Sequence, residues 1–473
     1  MAQEARVVVS RTKPIPYGGY HVNRIPDHDP QLTETGPGTA MGEYMRRFWH
    51  PVCMSEELTD VPRYLRILGE DLVAFRDKSG RVGVLHLHCA HRGASLEYGM
   101  IQQRGIMCCY HGFVFDVDGT CLEVPFPPGE EREGNKARRT IWQGAYKARE
   151  EHGLVFAYMG PPGDEPPFPV WEGDYTVHPD DELVPYSNHQ TCNWMQVQDN
   201  SVDQYHHIPL HTTALVPGHE QGTTFTEAGA APYLIRPDLQ FFPVDDGRTM
   251  AWTSSRRFDE NKIFIRVNHQ ILPNVSFHSY LFEDGSKRKY FSRVHMHRWS
   301  VPVDDHNSKM IGWRVFGPHI DTRDVGKRHL VGFEKMDFLE GQCGMRRPER
   351  LQYGQGELPP VYKNHRERPA YNDAQHAPGD YEAVCSQRPI AVHALESPMK
   401  FDQGVYLFRK MLRDALSGQN PAASPEGIKA WLESCGGRPK SYCSGNILLV
   451  PQASTPESEV KARRGIAADV IKA

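Results

Sequence analysis

The sequence predicts an α+β chain in two parts: a small antiparallel-β domain, then a larger domain whose central antiparallel sheet is flanked by helices. Three observations predict this. Short β-like runs separated by turn sequences such as DKSG and DVDG occupy the first part: YLRILGEDLVAFRD, GRVGVLHLHC and GFVFDVDGTCLEVP. A Pro-rich stretch at 160–171, GPPGDEPPFPVW, then punctuates the chain as an inter-domain linker. Beyond it come five further alternating runs, TMAWTSSRRF, KIFIRVNHQIL, VSFHSYLFE, KYFSRVHMHRWSV and MIGWRVFGP, which read as one antiparallel sheet.

Length supports the division, because 473 residues are too many for one comfortable core. The expected boundaries are an N-terminal extension over 1–44, the small β domain over 45–165, the larger domain over 166–450 and a charged, Ala-rich C-terminal tail over 451–473. Helical spacing of apolar residues predicts helices near 39–50 (TAMGEYMRRFWH), 192–208 (CNWMQVQDNSVDQYHHI) and 400–416 (KFDQGVYLFRKMLRDAL). Residues 338–379 are polar and rich in Pro and Gly and carry no assignable element, and no internal repeat is visible.

Composition excludes several function classes. The formal net charge is −5, from Lys+Arg 54 against Asp+Glu 59, and no long basic run stands out. Neither nucleic acid nor an anionic membrane is therefore an expected partner. No apolar run approaches the roughly 20 residues that span a bilayer, so a cytoplasmic protein acting on a small molecule is expected. The ten cysteines are scattered except around 89–121, which is not the pattern of a disulfide framework. Cysteine clustered with histidine points instead to metal.

That cluster is Cys89-Ala-His91, sixteen residues, then Cys108-Cys-Tyr-His111. Two thiolates and two imidazoles from two loops suit a tetrahedral zinc or a [2Fe–2S] cluster in which one iron takes both cysteines and the other both histidines. Spacing alone does not choose, but zinc fingers usually run Cys-Cys then His-His, whereas here each loop offers one of each, which favours the cluster. CAHRGASLEYG followed by CCYHGFVFDVDGTCLEVP is similar to the Rieske domain of aromatic-ring-hydroxylating oxygenases, with Phe113 where that family commonly has Trp. The resemblance implies the ligands Cys89, His91, Cys108 and His111. Cys109 is read as a packed neighbour, and Cys53, Cys121, Cys192, Cys343, Cys385, Cys435 and Cys443 as small buried hydrophobes.

A second concentration of carboxylates and imidazoles lies at 193–211. If 192–207 is helical, Asp199, Asp203 and His206 share a face. Pro209 should end that helix near Ile208, leaving His211 to fold back, and His207 with His211 forms a rival H-x3-H pair. Ile208 stands where an H-E-x-x-H zinc protease needs Glu. The plainer alternative is a salt-bridged helix end whose histidines are satisfied.

NWMQVQDNSVDQYHHIPLHT resembles the same family's NW-x-Q…D-x2-H-x4-H signature, which implies His206 and His211 as iron ligands. A facial triad needs one carboxylate more and leaves positions open for dioxygen and substrate. In phthalate-dioxygenase-like members that Asp precedes a Gln-Gly-Pro-Ile stretch. Gly379-Asp380 ahead of Gln387-Arg388-Pro389-Ile390 is similar, with Arg388 in place of Gly, so the resemblance implies Asp380, with Glu382 and Asp373 as fallbacks. Asp203 resembles the family's bridging carboxylate, which hydrogen-bonds a mononuclear-iron His and a Rieske His of a neighbouring subunit.

The chain is thus identified as resembling the catalytic (alpha) subunit of a Rieske non-haem iron oxygenase of the phthalate-dioxygenase and aromatic O-demethylase branch. The resemblance implies two cofactors, a [2Fe–2S] Rieske cluster and a mononuclear Fe(II), and a terminal oxygenase that uses O2 to hydroxylate or O-demethylate an aromatic substrate. A cis-dihydroxylating dioxygenase is the alternative, and a Rieske electron carrier or a zinc-binding structural protein are readings from other classes. No flavin or nicotinamide fingerprint is present, so a separate flavin and iron–sulfur reductase is expected, with or without a ferredoxin. The resemblance further implies a homotrimer or dimer of trimers. Asn268, His269 and Asn274 are candidate pocket residues.

Overall fold

The computed structural model describes residues 25–171, 182–211, 235–279, 294–316, 364–367, 371–376 and 378–472. Two short helices, α1 (Pro30–Thr33) and α2 (Ala40–Arg46), precede the first sheet. Thr39 caps α2 by accepting from Gly42 N at 3.2 Å. The helix expected over 39–50 stops at Arg46 because Trp49 already pairs with Tyr158 in a ladder, and strand pairing overrides the helical spacing.

The first sheet has six antiparallel strands, β1 (Trp49–Met54), β2 (Arg63–Ile67), β3 (Glu70–Arg76), β4 (Val82–His86), β9 (Ala145–Glu151) and β10 (Leu154–Tyr158), in the order β1-β10-β9-β4-β3-β2. Between β4 and β9 the chain forms a four-stranded sheet of very short strands, β5 (Met100–Ile101), β6 (Ile106–Met107), β7 (Val114–Phe115) and β8 (Cys121–Glu123), and helix α3 (Glu131–Arg138). Residues on β3 alternate between two cores, as a period of two requires. Leu72 and Ala74 join the cluster that continues into the second part of the molecule, while Val73 and Phe75 pack with Cys89, Cys108, Phe113 and Phe115. The six-stranded sheet is therefore covered on one side by the two Cys/His loops.

The second part is built on one antiparallel sheet, as the five alternating runs predicted. Its strands β11 (Glu182–Gln190), β12 (Asp238–Val244), β13 (Thr249–Asp259), β14 (Lys262–Ile271), β15 (Val275–Ser279), β16 (Val294–Pro302) and β17 (Ser308–Phe316) run in the order β11-β17-β16-β15-β14-β13-β12, and β18 (Ser444–Leu449) pairs with β14. The helices around it are α4 (Trp194–Val202), α5 (His207–His211), α6 (Tyr371–His376), α7 (Asp380–Cys385), α8 (Gln403–Leu416), α9 (Pro425–Ser434) and α10 (Pro456–Lys472). The amphipathic pattern at 400–416 becomes α8, with Phe408, Met411, Leu412 and Ala415 buried. The Ala-rich tail is not free either. It becomes α10, with Ala467 and Ile471 buried against Ile263, Ile265 and Val267 of β14.

One sheet face carries α4. Gln198 Nε2 donates to Gln270 Oε1 at 3.0 Å, and Gln270 Nε2 donates to the carbonyl of Ser201 at 3.2 Å. The other face meets the first sheet, where Phe156 of β10 lies 5.4 Å from Trp299 and 5.6 Å from Trp313, ring to ring. The Pro-rich stretch is not a slack tether between the two. Trp49 Nε1 donates to Pro166 O at 2.9 Å, Phe168 packs edge-on against Phe156, and Trp171 against Phe277. Its aromatic residues bury area that a flexible linker would leave wet. No helix among the described residues is long and apolar enough to cross a membrane.

Candidate metal centres

The two Cys/His loops are the same turn built twice. In the first, Cys89 N donates to Ala94 O at 2.9 Å and Gly93 N to Cys89 O at 2.8 Å; in the second, Cys108 N donates to Phe113 O at 2.8 Å and Gly112 N to Cys108 O at 3.0 Å. Gly93 and Gly112 both sit at φ +73°, a conformation that costs other residues about 1–2 kcal/mol. A Cβ at either glycine would meet nothing within 4 Å, so backbone handedness and not space demands glycine. Gly112→Ala is expected to cost about 1–2 kcal/mol in urea unfolding and to lower iron–sulfur content on purification.

The turns bring like donors together. Cys89 and Cys108 are 4% and 2% exposed and pack in one apolar core. Burial first, and the neighbouring thiol next, push Cys89 up to about 11, against backbone N–H groups of His91 and Arg92 that favour the thiolate. The imidazoles of His91 and His111 lie outside them with ring centres 4.7 Å apart. Buried sulfurs within and more exposed imidazoles without match the two ends of a cluster in which one iron takes a pair of cysteines and the other a pair of histidines, so the residues fit the group. Phe113 stacks on His91 at 4.4 Å and 20°, filling the place of the family's Trp. Cys109 is exposed and not a packed neighbour, because Cys108 turns inward toward Cys89 and the next side chain must turn out.

One supporting residue was missed in the sequence. Gln143, buried beside β4, accepts from Ala90 N at 2.8 Å and donates to the carbonyls of His86 and His88 at 2.8 and 3.0 Å. It clamps the first loop from a point far along the chain, where no local pattern marks it. Of the other cysteines, Cys53, Cys121, Cys192, Cys385 and Cys443 are buried, Cys435 is half-buried, and Cys343 lies outside the described residues.

At the second centre the expected continuous helix is two pieces. α4 ends at Val202, Asp203 is its extended C-cap with ψ 129°, and α5 starts at His207. Asp203 causes the break: its Oδ1 accepts from Tyr205 N at 2.7 Å, a local turn that competes with helix continuation. Pro209 then falls in the first turn of α5, where its missing N–H costs nothing, instead of ending a longer helix. Asp199, Asp203 and His206 consequently do not share a face. Asp199 meets Arg409 of α8, while Asp203 turns to His206.

His206 is held from both ring nitrogens. Nδ1 donates to Asp203 Oδ2 at 3.3 Å, and Nε2 lies 3.3 Å from Asp380 Oδ1, which also accepts from Asn200 Nδ2 at 3.2 Å. Burial disfavours the imidazolium, but the two carboxylates outweigh it and raise His206 to about 9. Asp203 is lowered although burial opposes it, through His206 and the Tyr205 N–H. Two donors each about 2.1 Å from one metal at right angles stand about 3.0 Å apart, so the His206–Asp380 spacing suits cis ligands of a shared ion. Binding would displace the Nε2 proton.

The rival residues are placed as follows. The side chains of His211 and Asp373 lie outside the described residues. His207 accepts from Gln204 Nε2 at 3.1 Å, and Glu382 accepts from Gly379 N at 3.0 Å as the N-terminal cap of α7. Among the described residues no group of three or more His, Cys, Asp or Glu converges as a metal site. Of the three pocket candidates, Asn268 shares the α4 face of β14 with Gln270. His269 points to the opposite face among Trp171, Phe277 and Tyr442, where burial depresses it to about 3. Asn274 donates to Ser300 O at 2.9 Å and faces His50, away from His206.

The segment after α7 explains the Arg388 substitution. Arg388 has φ +114°, a conformation that favours glycine. It is held there because Gln196 Nε2 donates to the carbonyls of Val384 and Arg388 at 2.8 and 3.0 Å, and Asn193 N to that of Pro389 at 2.7 Å. Strain of about 1–3 kcal/mol, less about 0.5–1 kcal/mol for glycine's greater unfolded freedom, leaves a net gain. Arg388→Gly is expected to stabilise the protein by about 1 kcal/mol, read from its urea midpoint.

Comparison with known proteins places the chain in a family. The family description Rieske [2Fe-2S] domain matches residues 48–132. The tert-butanol monooxygenase / tert-amyl alcohol desaturase oxygenase subunit of Aquincola tertiaricarbonis is 42% identical over 96% of this chain and 91% of its own length. The phenoxybenzoate dioxygenase subunit alpha of Ectopseudomonas oleovorans is 33% identical over 89% of this chain and 93% of its own. Among solved structures, dicamba monooxygenase bound to dicamba superposes with TM-score 0.51 at 15% identity, covering 80% of this chain and 98% of that one, a likeness of fold. The chain belongs to the Rieske non-haem iron oxygenases, as an oxygenase subunit. Its cofactors are accordingly a Rieske [2Fe–2S] cluster and a mononuclear Fe(II).

Proposed function

We propose that this chain is the terminal oxygenase of a multicomponent system, with Cys89, Cys108, His91 and His111 holding the cluster and His206, His211 and Asp380 the mononuclear iron. The observation that carries the reading is His206, oriented by Asp203 on Nδ1 and facing Asp380 on Nε2. When bound, the cluster supplies single electrons and the mononuclear Fe(II) supplies the site for dioxygen. The protein's part is positional. Asp203 fixes the tautomer of His206 so that the Nε2 lone pair faces the metal position, and Asn200 holds the Asp380 carboxylate by one oxygen.

A separate flavin and iron–sulfur reductase, or a ferredoxin, delivers the electrons. The cluster end of the chain presents Tyr110, 57% exposed, with its ring 3.8 Å from that of His111. Such a surface suits the neighbour of a homotrimer or dimer of trimers, in which Asp203 of one subunit meets a Rieske histidine of the next.

The substrate on this reading is an aromatic compound that is hydroxylated or O-demethylated, supported by relatives named for phenoxybenzoate and 5,5'-dehydrodivanillate. A specific observation favours a second reading, a short branched tertiary alcohol: the 42%-identical relative, matched over almost the whole chain, is named for tert-butanol and tert-amyl alcohol. The test supplies a surrogate reductase, isotopically labelled dioxygen and a panel of aromatic acids, methoxylated aromatics, diaryl ethers and both alcohols. A labelled hydroxylated aromatic, or an unlabelled phenol released together with formaldehyde, supports the first reading; oxidised products formed only from the two alcohols support the second. No oxidised product from any member of the panel contradicts an oxygenase of this scope.

A further inference from the structure

The two ligand-bearing segments of the second centre meet at a pair of sulfurs. Cys192 lies between β11 and the Asn193 cap of α4, the helix that leads to Asp203 and His206. Cys385 is the last residue of α7, the helix that begins with Asp380. Their Sγ atoms are 3.6 Å apart, in van der Waals contact, and the residues are 0% and 3% exposed. The pair sits in a small apolar cluster with Tyr186, Val197, Met310 and Val384.

Contact between two buried thiols could be accidental packing of small hydrophobes, but the surrounding seam holds these two in register. Thr191 Oγ1 and Tyr381 OH are 3.1 Å apart, Gln196 spans to Val384 and Arg388, Ala391 N donates to Gln196 Oε1 at 2.8 Å, and Asn193 N donates to Pro389 O. Hydrogen bonds thus hold the residues on both sides of each cysteine. A disulfide needs the sulfurs at about 2.05 Å. From 3.6 Å that is an approach of roughly 1.5 Å, within reach of side-chain rotation while the seam stays closed.

We propose that Cys192 and Cys385 form a redox-active dithiol, which hydrogen peroxide converts to an intramolecular disulfide joining the start of α4 to the end of α7. One sulfur, that of Cys385 as the less buried, attacks the peroxide, whose O–O bond breaks to release water and leave a sulfenic acid. The second sulfur displaces the sulfenic oxygen as a second water, so that two S–H bonds are lost, one S–S bond is gained and peroxide is reduced to two waters. The linkage staples α7, and with it Asp380, to the segment that carries His206. Resting on the ligand assignment proposed above, it slows escape of the mononuclear iron under the oxidant that uncoupled oxygen reduction releases.

The test uses the full-length, cofactor-loaded protein, reduced with dithiothreitol, desalted, treated with hydrogen peroxide, alkylated and digested for peptide mass analysis. The expected result is a linked peptide pair containing Cys192 and Cys385, lighter by about 2 Da than the two thiol peptides together. Dithiothreitol should resolve it, and Cys192→Ala and Cys385→Ala should lack it. Mapping separates this link from any Cys89–Cys108 link left by cluster damage. Recovery of both cysteines as alkylated thiols, or as sulfinic acids without a link, overturns the proposal, and this reading on the native chain does not depend on how the variants fold. In the linked protein, release of one iron per chain to a chelator should slow several-fold. A link that forms without slowing release upholds the dithiol and counts against Asp380 as a ligand.

Discussion

Replacing His206 or Asp380 by alanine is expected to remove one iron per chain and at least about 100-fold of product formation, the upper range seen when even an outer partner of a metal ligand is lost. His206 faces Asp380 through Nε2 and Asp203 through Nδ1, so its loss removes the imidazole that joins the two carboxylates. The cluster's visible absorption should be unchanged, because Cys89 and Cys108 belong to a separate core built on β3, β7 and the turns between, and His91 and His111 sit on those same turns. Iron and sulfide analysis beside turnover measures both quantities. Full iron content in either variant would remove that residue from the metal site.

The second large effect concerns stability. Arg409 of α8 is 8% exposed and donates through Nη1 and Nη2 to Glu396 at 2.7 and 2.8 Å and through Nε to Asp199 at 3.2 Å. It thereby ties α8 to α4 beneath the His206 segment. Arg409→Leu strands two carboxylates, one of them on α4 itself, and is expected to cost about 3–5 kcal/mol in urea unfolding near pH 7. The sign of its pH dependence follows from the partners. Burial raises Asp199 even with Arg409 opposing it, and Glu396 is lowered, against burial, by Arg409. Without the guanidinium both carboxyls bind protons more readily when folded than when unfolded. The variant's deficit should therefore shrink as pH falls toward about 5. A loss below about 1 kcal/mol at neutral pH would show the network to behave like a surface pair.

The sheets were legible in the sequence because a strand repeats every two residues: β3 sends Leu72 and Ala74 to one core and Val73 and Phe75 to the other, and β13 to β17 follow five alternating runs. The Cys/His loops were legible because their donors are close in sequence and each turn closes on its own glycine. What escaped was set by distant contacts or by local competition. Gln143 clamps the first loop from over fifty residues away. The break of the 192–208 helix hinges on one Asp203–Tyr205 hydrogen bond, which apolar spacing does not report. The side-chain directions of His269 and Asn274 depended on strand register, where a shift of one residue changes the face.

Metal analysis of the purified chain is the most direct measurement of the central claim. About three irons and two acid-labile sulfides per chain, with a reduced-state EPR signal of a cluster bound by both cysteine and histidine, are predicted. Zinc at Cys89, His91, Cys108 and His111, or a colourless protein after anaerobic reconstitution with iron and sulfide, would contradict it.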